Sequence, residues 1–256
     1  MSGILPNLFW LAKDERVPGE WEDAGAFDTR NARFAVADGA SAAYRAREWA
    51  MQLVEYYVKA PPPPNADEDV VLQWFAKLAN SWQDDSNGNE PTFWYQQNAE
   101  RRGSFAAFLG AGFSHSHAGL VWHSVAVGDC CLFHIRENVL MTAFPVSNPA
   151  DFGRSPDLVP SAAQSLGRLR NRVRVTSGNA VPGDLFLLCS DALAKFLLAE
   201  APRGEPVWTA VKSIADNEDF ARLIRYLRRE NAIEIDDVTL LRLVVVEAGK
   251  AGRRRK

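Results

Sequence analysis

The stretch Phe34-Ala35-Val36-Ala37-Asp38-Gly39-Ala40-Ser41 is four apolar residues running straight into an aspartate and a glycine. Four apolar residues bounded by a turn signal have the length of a strand buried on both faces. Asp-Gly at such an end is, taken alone, a turn: aspartate bonds its own backbone and glycine tolerates positive φ. Three more apolar runs meet an aspartate in the same way. They are Val125 to Asp129, Leu185 to Asp191, and Val238 to Val246 behind Asp236-Asp237. Four strand-end aspartates on strands expected to share a sheet point to carboxylates converging on a cation. Such oxygen-rich sites select Mg²⁺ or Mn²⁺.

The rest of the chain supplies the frame. A first strand is expected over Leu5 to Lys13, then a polar connection holding Glu22 and Asp23. After Asp38, the helical spacing of Ala46, Trp49, Ala50, Leu53 and Tyr57 predicts a helix that Pro61–Pro64 must stop. Asn65 with Glu68 reads as a capping box for a second helix, whose face carries Val71, Trp74, Phe75, Leu78 and Trp82. A short helix is expected over Thr92 to Arg101. Closely spaced strands follow from Ser104 to Ala143, with Gly128-Asp129 and Glu137-Asn138 as two-residue hairpin connections. Phe144 to Asn179, rich in Pro, Ser, Gly and Arg, reads as a surface excursion with little core of its own. Helices over 192–198, 207–214 and 219–229 precede the closing strand. Antiparallel runs with helices clustered between them make this an α+β fold of layered sheets. One domain is expected over residues 1–250, with a basic tail at 251–256.

Composition excludes several classes. With 256 residues, 47% hydrophobic and 24% charged, the chain can bury one sizeable core. A formal charge of −3 gives no global pull toward nucleic acid or an anionic membrane. No apolar run reaches the ~20 residues of a membrane span, and Met1 to Trp10 lacks the pattern of a signal peptide. Three cysteines, two adjacent, form neither a disulfide framework nor a spaced zinc site, so a cytoplasmic setting is expected. The four histidines lack metal-ligand spacing and read as packing or surface residues. Placed near a cleft, His117 or His123 could act as a general acid. There is no Gly-x-Ser-x-Gly elbow and no Walker loop.

Taken in order, the segments resemble the metal-dependent serine/threonine protein phosphatases, the PPM or type 2C family. Trp21-Glu22-Asp23-Ala24 is similar to that family's Asn-Glu-Asp-Ala, and Val36-Ala37-Asp38-Gly39 to its Val-Ala-Asp-Gly strand. Gly103-Ser104 sits where the family opens a core strand, and Gly128-Asp129-Cys130 resembles its Gly-Asp-Ser. Leu188-Cys189-Ser190-Asp191-Ala192-Leu193 resembles Leu-Cys-Ser-Asp-Gly-Leu, and Asp236-Asp237-Val238-Thr239 resembles Asp-Asn-x-Thr.

The resemblance implies a four-layer α-β-β-α sandwich of two antiparallel sheets, with two or three Mn²⁺ or Mg²⁺ ions. It makes Asp38 the bridging ligand, the Gly39 carbonyl, Asp191 and Asp236 further ligands, and Asp129 the holder of a weaker third ion. Glu22 and Asp23 would support metal-held waters, and residues 144–179 would take the place of the flap beside the cleft. The implied reaction is hydrolysis of phosphoserine or phosphothreonine in a phosphorylated protein, opposing a cognate kinase, by a water bridging two ions.

The chain departs from the pattern on the phosphate side. Arg16 is a loose match to the family's phosphate-binding arginine, with Arg33 and Arg45 as alternatives. Ala40-Ser41 and Ala192 replace glycines, and Asp237 replaces Asn. These changes favour a rival reading, a pseudophosphatase acting as a regulatory binding module, although such a protein would be expected to have lost Asp38, Asp191 or Asp236.

Overall fold

The computed structural model describes residues 2–41, 43–86, 103–117, 119–153 and 156–247. The helix expected over Thr92 to Arg101, Arg154 and the basic tail lie outside them.

One antiparallel sheet contains β1 (Ser2–Leu11), β11 (Val238–Glu247), β10 (Leu185–Cys189), β6 (Cys131–Arg136) and β7 (Val139–Phe144), in that spatial order. The other runs β2 (Ala24–Asp28), β3 (Arg33–Gly39), β4 (Phe105–Ser116), β5 (Gly119–Val127) and β9 (Arg174–Ala180), with the two-residue β8 (Val159–Pro160) paired to β4. Helices α1 (Ala46–Lys59) and α2 (Glu68–Ser86) cover the second sheet. Helices α3 (Asp191–Glu200), α4 (Glu205–Ser213) and α5 (Asn217–Arg229) cover the first. This is the four-layer sandwich.

Strand periodicity explains the layering. On β3, Phe34 and Val36 point into the core between the sheets, while Ala35 and Ala37 face the α1/α2 layer. The bulky residues thus fill the inter-sheet space, and the small ones let α1 approach the sheet closely. Gly110 on β4 serves the same purpose, since a Cβ there would fall inside the Tyr57 ring of α1. On β10 the alternation repeats: Phe186 and Leu188 face the other sheet, and Leu185, Leu187 and Cys189 face the helices.

Four local expectations give way. Glu137 and Asn138 do turn a tight hairpin, both at positive φ as a type I′ turn requires. Gly128-Asp129, by contrast, is no hairpin. β5 and β6 belong to different sheets, so the chain crosses the sandwich there. The strand-end aspartates therefore do not share one sheet. Asn65 does not cap α2: Asp67 does, accepting from Val70 N at 2.9 Å, while Glu68 accepts from Asn171 N at 2.6 Å.

Residues 144–179 are also more than an excursion. They provide β8 and most of β9, and they bury Val159, Leu166 and Leu169 in the α1/α2 core. The Trp49 indole of α1 donates to the Val159 carbonyl at 2.9 Å. Three arginines of this stretch are engaged locally, Arg170 with Asp69 of α2, Arg172 with Asp157 and Arg174 with the Asn171 carbonyl.

Candidate metal centre

All the strand ends that matter lie at one end of the sandwich. β3 ends at Asp38 and Gly39, which pair with Ala107 and Ala106 near the start of β4. Asp129 stands in the crossover from β5 to β6, Asp191 opens α3 directly after β10, and Asp236 precedes β11. Asp23 precedes β2. One sheet contributes Asp23 and Asp38, the other Asp191 and Asp236, and the crossover Asp129. The fold thus brings together the five aspartates that the sequence singled out.

Their electrostatics record the convergence. Burial, then Asp23, Asp191, Asp129 and Asp236, push the Asp38 carboxyl well above the usual carboxylate range. Burial and the charge of Asp191 push Asp129 up to about 7. Burial, with added repulsion from Asp237 and Asp191, pushes Asp23 up to about 8. Asp191 is raised by burial and Asp236, and Asp236 by burial and Asp237. Like charges gathered in a low-dielectric cleft hold protons unless a cation replaces them.

The residues fit a hard divalent cation. Every candidate ligand is an oxygen, as Mg²⁺ and Mn²⁺ require. Asp23 is 1% exposed, and neither of its carboxylate oxygens has a hydrogen-bond partner. The nearby Ser190 and Thr239 hydroxyls lower its pKa only in part, and Thr239 Oγ1 is itself unpaired. A buried carboxylate without donors is costly, and an ion or its waters would relieve it. Gly39 packs so closely that a Cβ would fall 2.6 Å from the Glu22 carbonyl oxygen and 2.9 Å from that of Ala46. Among the described residues no three His, Cys, Asp or Glu side chains already stand in coordinating geometry. The carboxylates share one field, not a preformed shell.

Asp237 is the residue that sequence reading undervalued. Its Oδ1 accepts from Lys13 N and its Oδ2 from Glu22 N, both at 2.6 Å. One carboxylate thereby ties the end of β1 and the Glu22-Asp23 segment to the start of β11. The two N–H groups meet different oxygens, and an amide in the same pose would turn its NH2 toward one of them, so aspartate suits this position where the resembled motif has Asn. Lys13 Nζ in turn donates to Glu22 Oε2 at 2.7 Å and Ser41 Oγ at 2.9 Å. Partial burial opposes its charge, but Glu22, Asp237 and Asp236 outweigh that and raise its pKa. Beside this group opens a cleft of about 680 Å³ whose walls include Lys13, Glu22, Ser41, Arg45 and Arg47.

Other expected residues fall elsewhere. The Arg16 side chain is 88% exposed and held by Asp14. Arg33 starts β3, at the far end from Asp38, and donates to the Val58 and Lys59 carbonyls. His123 pairs with Gly112, in register with the Arg33 end of the sheet. His117 follows β4 at that same far end. His134 is buried against Asp184 at 2.8 Å and stacks on Phe186.

Solved structures share this fold. The catalytic domain of the serine/threonine phosphatase PstP in complex with two manganese ions is 18% identical, with 96% of this chain and all of that one covered and a TM-score of 0.64. PstP/Ppp from Mycobacterium tuberculosis is 16% identical over the same shares, with a TM-score of 0.63. The PPM phosphatase MsPP from Mycobacterium smegmatis, in complex with cacodylate, is 17% identical, covering 96% and 98%, with a TM-score of 0.51. No protein-family model matches the sequence, and no curated protein does. The chain has the fold of PPM-type phosphatases.

Proposed function

We propose that this protein is a PPM-type, metal-dependent phosphoprotein phosphatase acting on phosphoserine and phosphothreonine. The observation that carries the reading is the convergence of Asp23, Asp38, Asp129, Asp191 and Asp236 from both sheets on one end of the sandwich. Asp38, Asp191, Asp236 and the Gly39 carbonyl would hold a Mn²⁺ or Mg²⁺ pair, and Asp129 a weaker third ion. When bound, such ions neutralise phosphoryl oxygens and lower the pKa of a water between them.

The chain's own groups do the rest. Asp237 fixes the Glu22-Asp23 segment against β11. Glu22 and Asp23 offer acceptors for ordered water, and the Lys13 rim offers positive charge to an arriving dianion. A cytoplasmic setting accords with the three buried free thiols, Cys130, Cys131 and Cys189. A serine/threonine kinase would supply the phosphorylated partner.

The pseudophosphatase reading draws on Arg16, which is committed to Asp14. Turnover decides between the two. We expect hydrolysis of an aryl phosphate and a phosphothreonine peptide with Mn²⁺ and none with a chelator. Metal-independent hydrolysis, or none under any condition, would contradict the proposal.

A further inference from the structure

Cations would offset the charge of Asp38 and its neighbours, but Glu20, Glu22 and Glu48 on the cleft wall still repel an arriving phosphate dianion. Positive charge at the rim has to offset that repulsion until the group is seated. Arg16, exposed and paired with Asp14, stands off the cleft.

The cleft wall carries Lys13, Arg45 and Arg47 instead. Arg45 lies over the Trp82 ring, 4.6 Å from its centroid, with its Nε 3.5 Å from Glu48. Arg47 donates to the Gly19 carbonyl. Lys13 is the cation linked to the acidic group, through its side chain to Glu22 and through its backbone N–H to Asp237. Its ammonium has three donors, of which Glu22 and Ser41 take two. Ser41 accepts from Lys13, so its own hydroxyl hydrogen is available, and the residue is exposed. Two donors with spare capacity therefore stand side by side, Lys13 beyond the end of β1 and Ser41 three residues after Asp38.

We propose that Lys13, assisted by Ser41, holds the phosphoryl group of the substrate in this chain. The assignment rests on the phosphatase reading for its substrate, but its test does not require turnover. Inorganic phosphate is titrated calorimetrically into the Mn²⁺-supplied parent and into Lys13→Met, Lys13→Arg, Ser41→Ala and Arg16→Ala. KM and kcat for an aryl phosphate are measured in parallel. Lys13→Met should weaken phosphate binding about tenfold or more and raise KM, while Lys13→Arg stays within about threefold and Ser41→Ala loses less than Lys13→Met.

Phosphate binding by Lys13→Met within about twofold of the parent would overturn the assignment, as would an equal loss in Arg16→Ala. Should Lys13→Met fail to melt cooperatively, Ser41→Ala at its exposed position decides, and an unchanged affinity there rejects the site. A parent that binds phosphate through Lys13 yet hydrolyses nothing defeats the phosphatase reading and leaves this site standing. A parent that hydrolyses but ignores Lys13→Met does the reverse.

Discussion

Asp38 and Asp237 carry opposite burdens although both are acids at strand ends, the first half-buried and the second buried. Asp38 faces four other aspartates and is destabilised by them, with its pKa raised well above the carboxylate range. Asp38→Asn should therefore leave the metal-free protein melting no lower than the parent, since the change removes repulsion. It should also cut Mn²⁺-dependent hydrolysis by more than about tenfold, because the expected common ligand is gone. Activity near the parent's at saturating Mn²⁺ would contradict its assignment. Asp237 instead accepts two backbone N–H bonds at 2.6 Å. Asp237→Asn turns one acceptor into a donor facing a donor. The expected loss is about 1–3 kcal/mol by urea denaturation. A stability equal to the parent's would show that the brace carries no weight.

Among the elements, the stretch from Phe144 to Asn179 shows where sequence reading runs out. β9 reads Arg174-Val-Thr-Ser-Gly-Asn-Ala180, polar and half exposed because it is an edge strand, so no period-two apolar face marks it. Leu166 and Leu169 lie three apart on a 3-10 segment, where residues i and i+3 eclipse, and two leucines are too few to register as a periodicity. The crossover at Gly128-Asp129 is illegible for another reason: Asp-Gly-type chemistry specifies a turn, not which sheet the next strand joins. By contrast, the strand ending at Asp38, the two-residue hairpin at Glu137-Asn138 and four of the five aspartates were readable from local chemistry, while Asp23 stood out only through the resemblance. The consequence is a reversed expectation for this stretch. Excising it should unfold the protein, as removing an excursion with little core of its own would not. Leu169→Ala should cost about 2–5 kcal/mol while leaving the Mn²⁺ dependence of aryl phosphate hydrolysis intact. A trimmed chain that melts like the parent would restore the picture of a detachable flap.

At the scale of the whole molecule, the candidate centre is the place where two sheets meet through charge instead of apolar packing. Asp23 and Asp38 belong to one sheet, Asp191 and Asp236 to the other, so a bound cation would staple them. The pH dependence follows from the raised carboxyls. In the unfolded chain Asp23 and Asp129 release protons near 3.8, but in the folded metal-free protein they hold them to about 8 and about 7. The folded state thus binds more protons between these limits, and stability must fall as pH rises through that window. Asp184, lowered by Arg136, the Val181 N–H and His134 against the cost of its burial, acts oppositely, losing its contribution as pH falls below the ordinary carboxylate range. The two effects occupy separate windows. With chelator, the melting temperature should decline from pH 5 to pH 8, at about 2–4 °C per kcal/mol for a chain of this size. Saturating Mn²⁺ displaces those protons, so its stabilising increment should grow over the same interval. Asp129→Asn should flatten the chelated profile between pH 5 and 7. Scanning fluorimetry across pH, with and without Mn²⁺, checks all three. A chelated melting temperature that rises steadily to pH 8 would mean that the aspartates do not share a field, and the metal centre would fall with it.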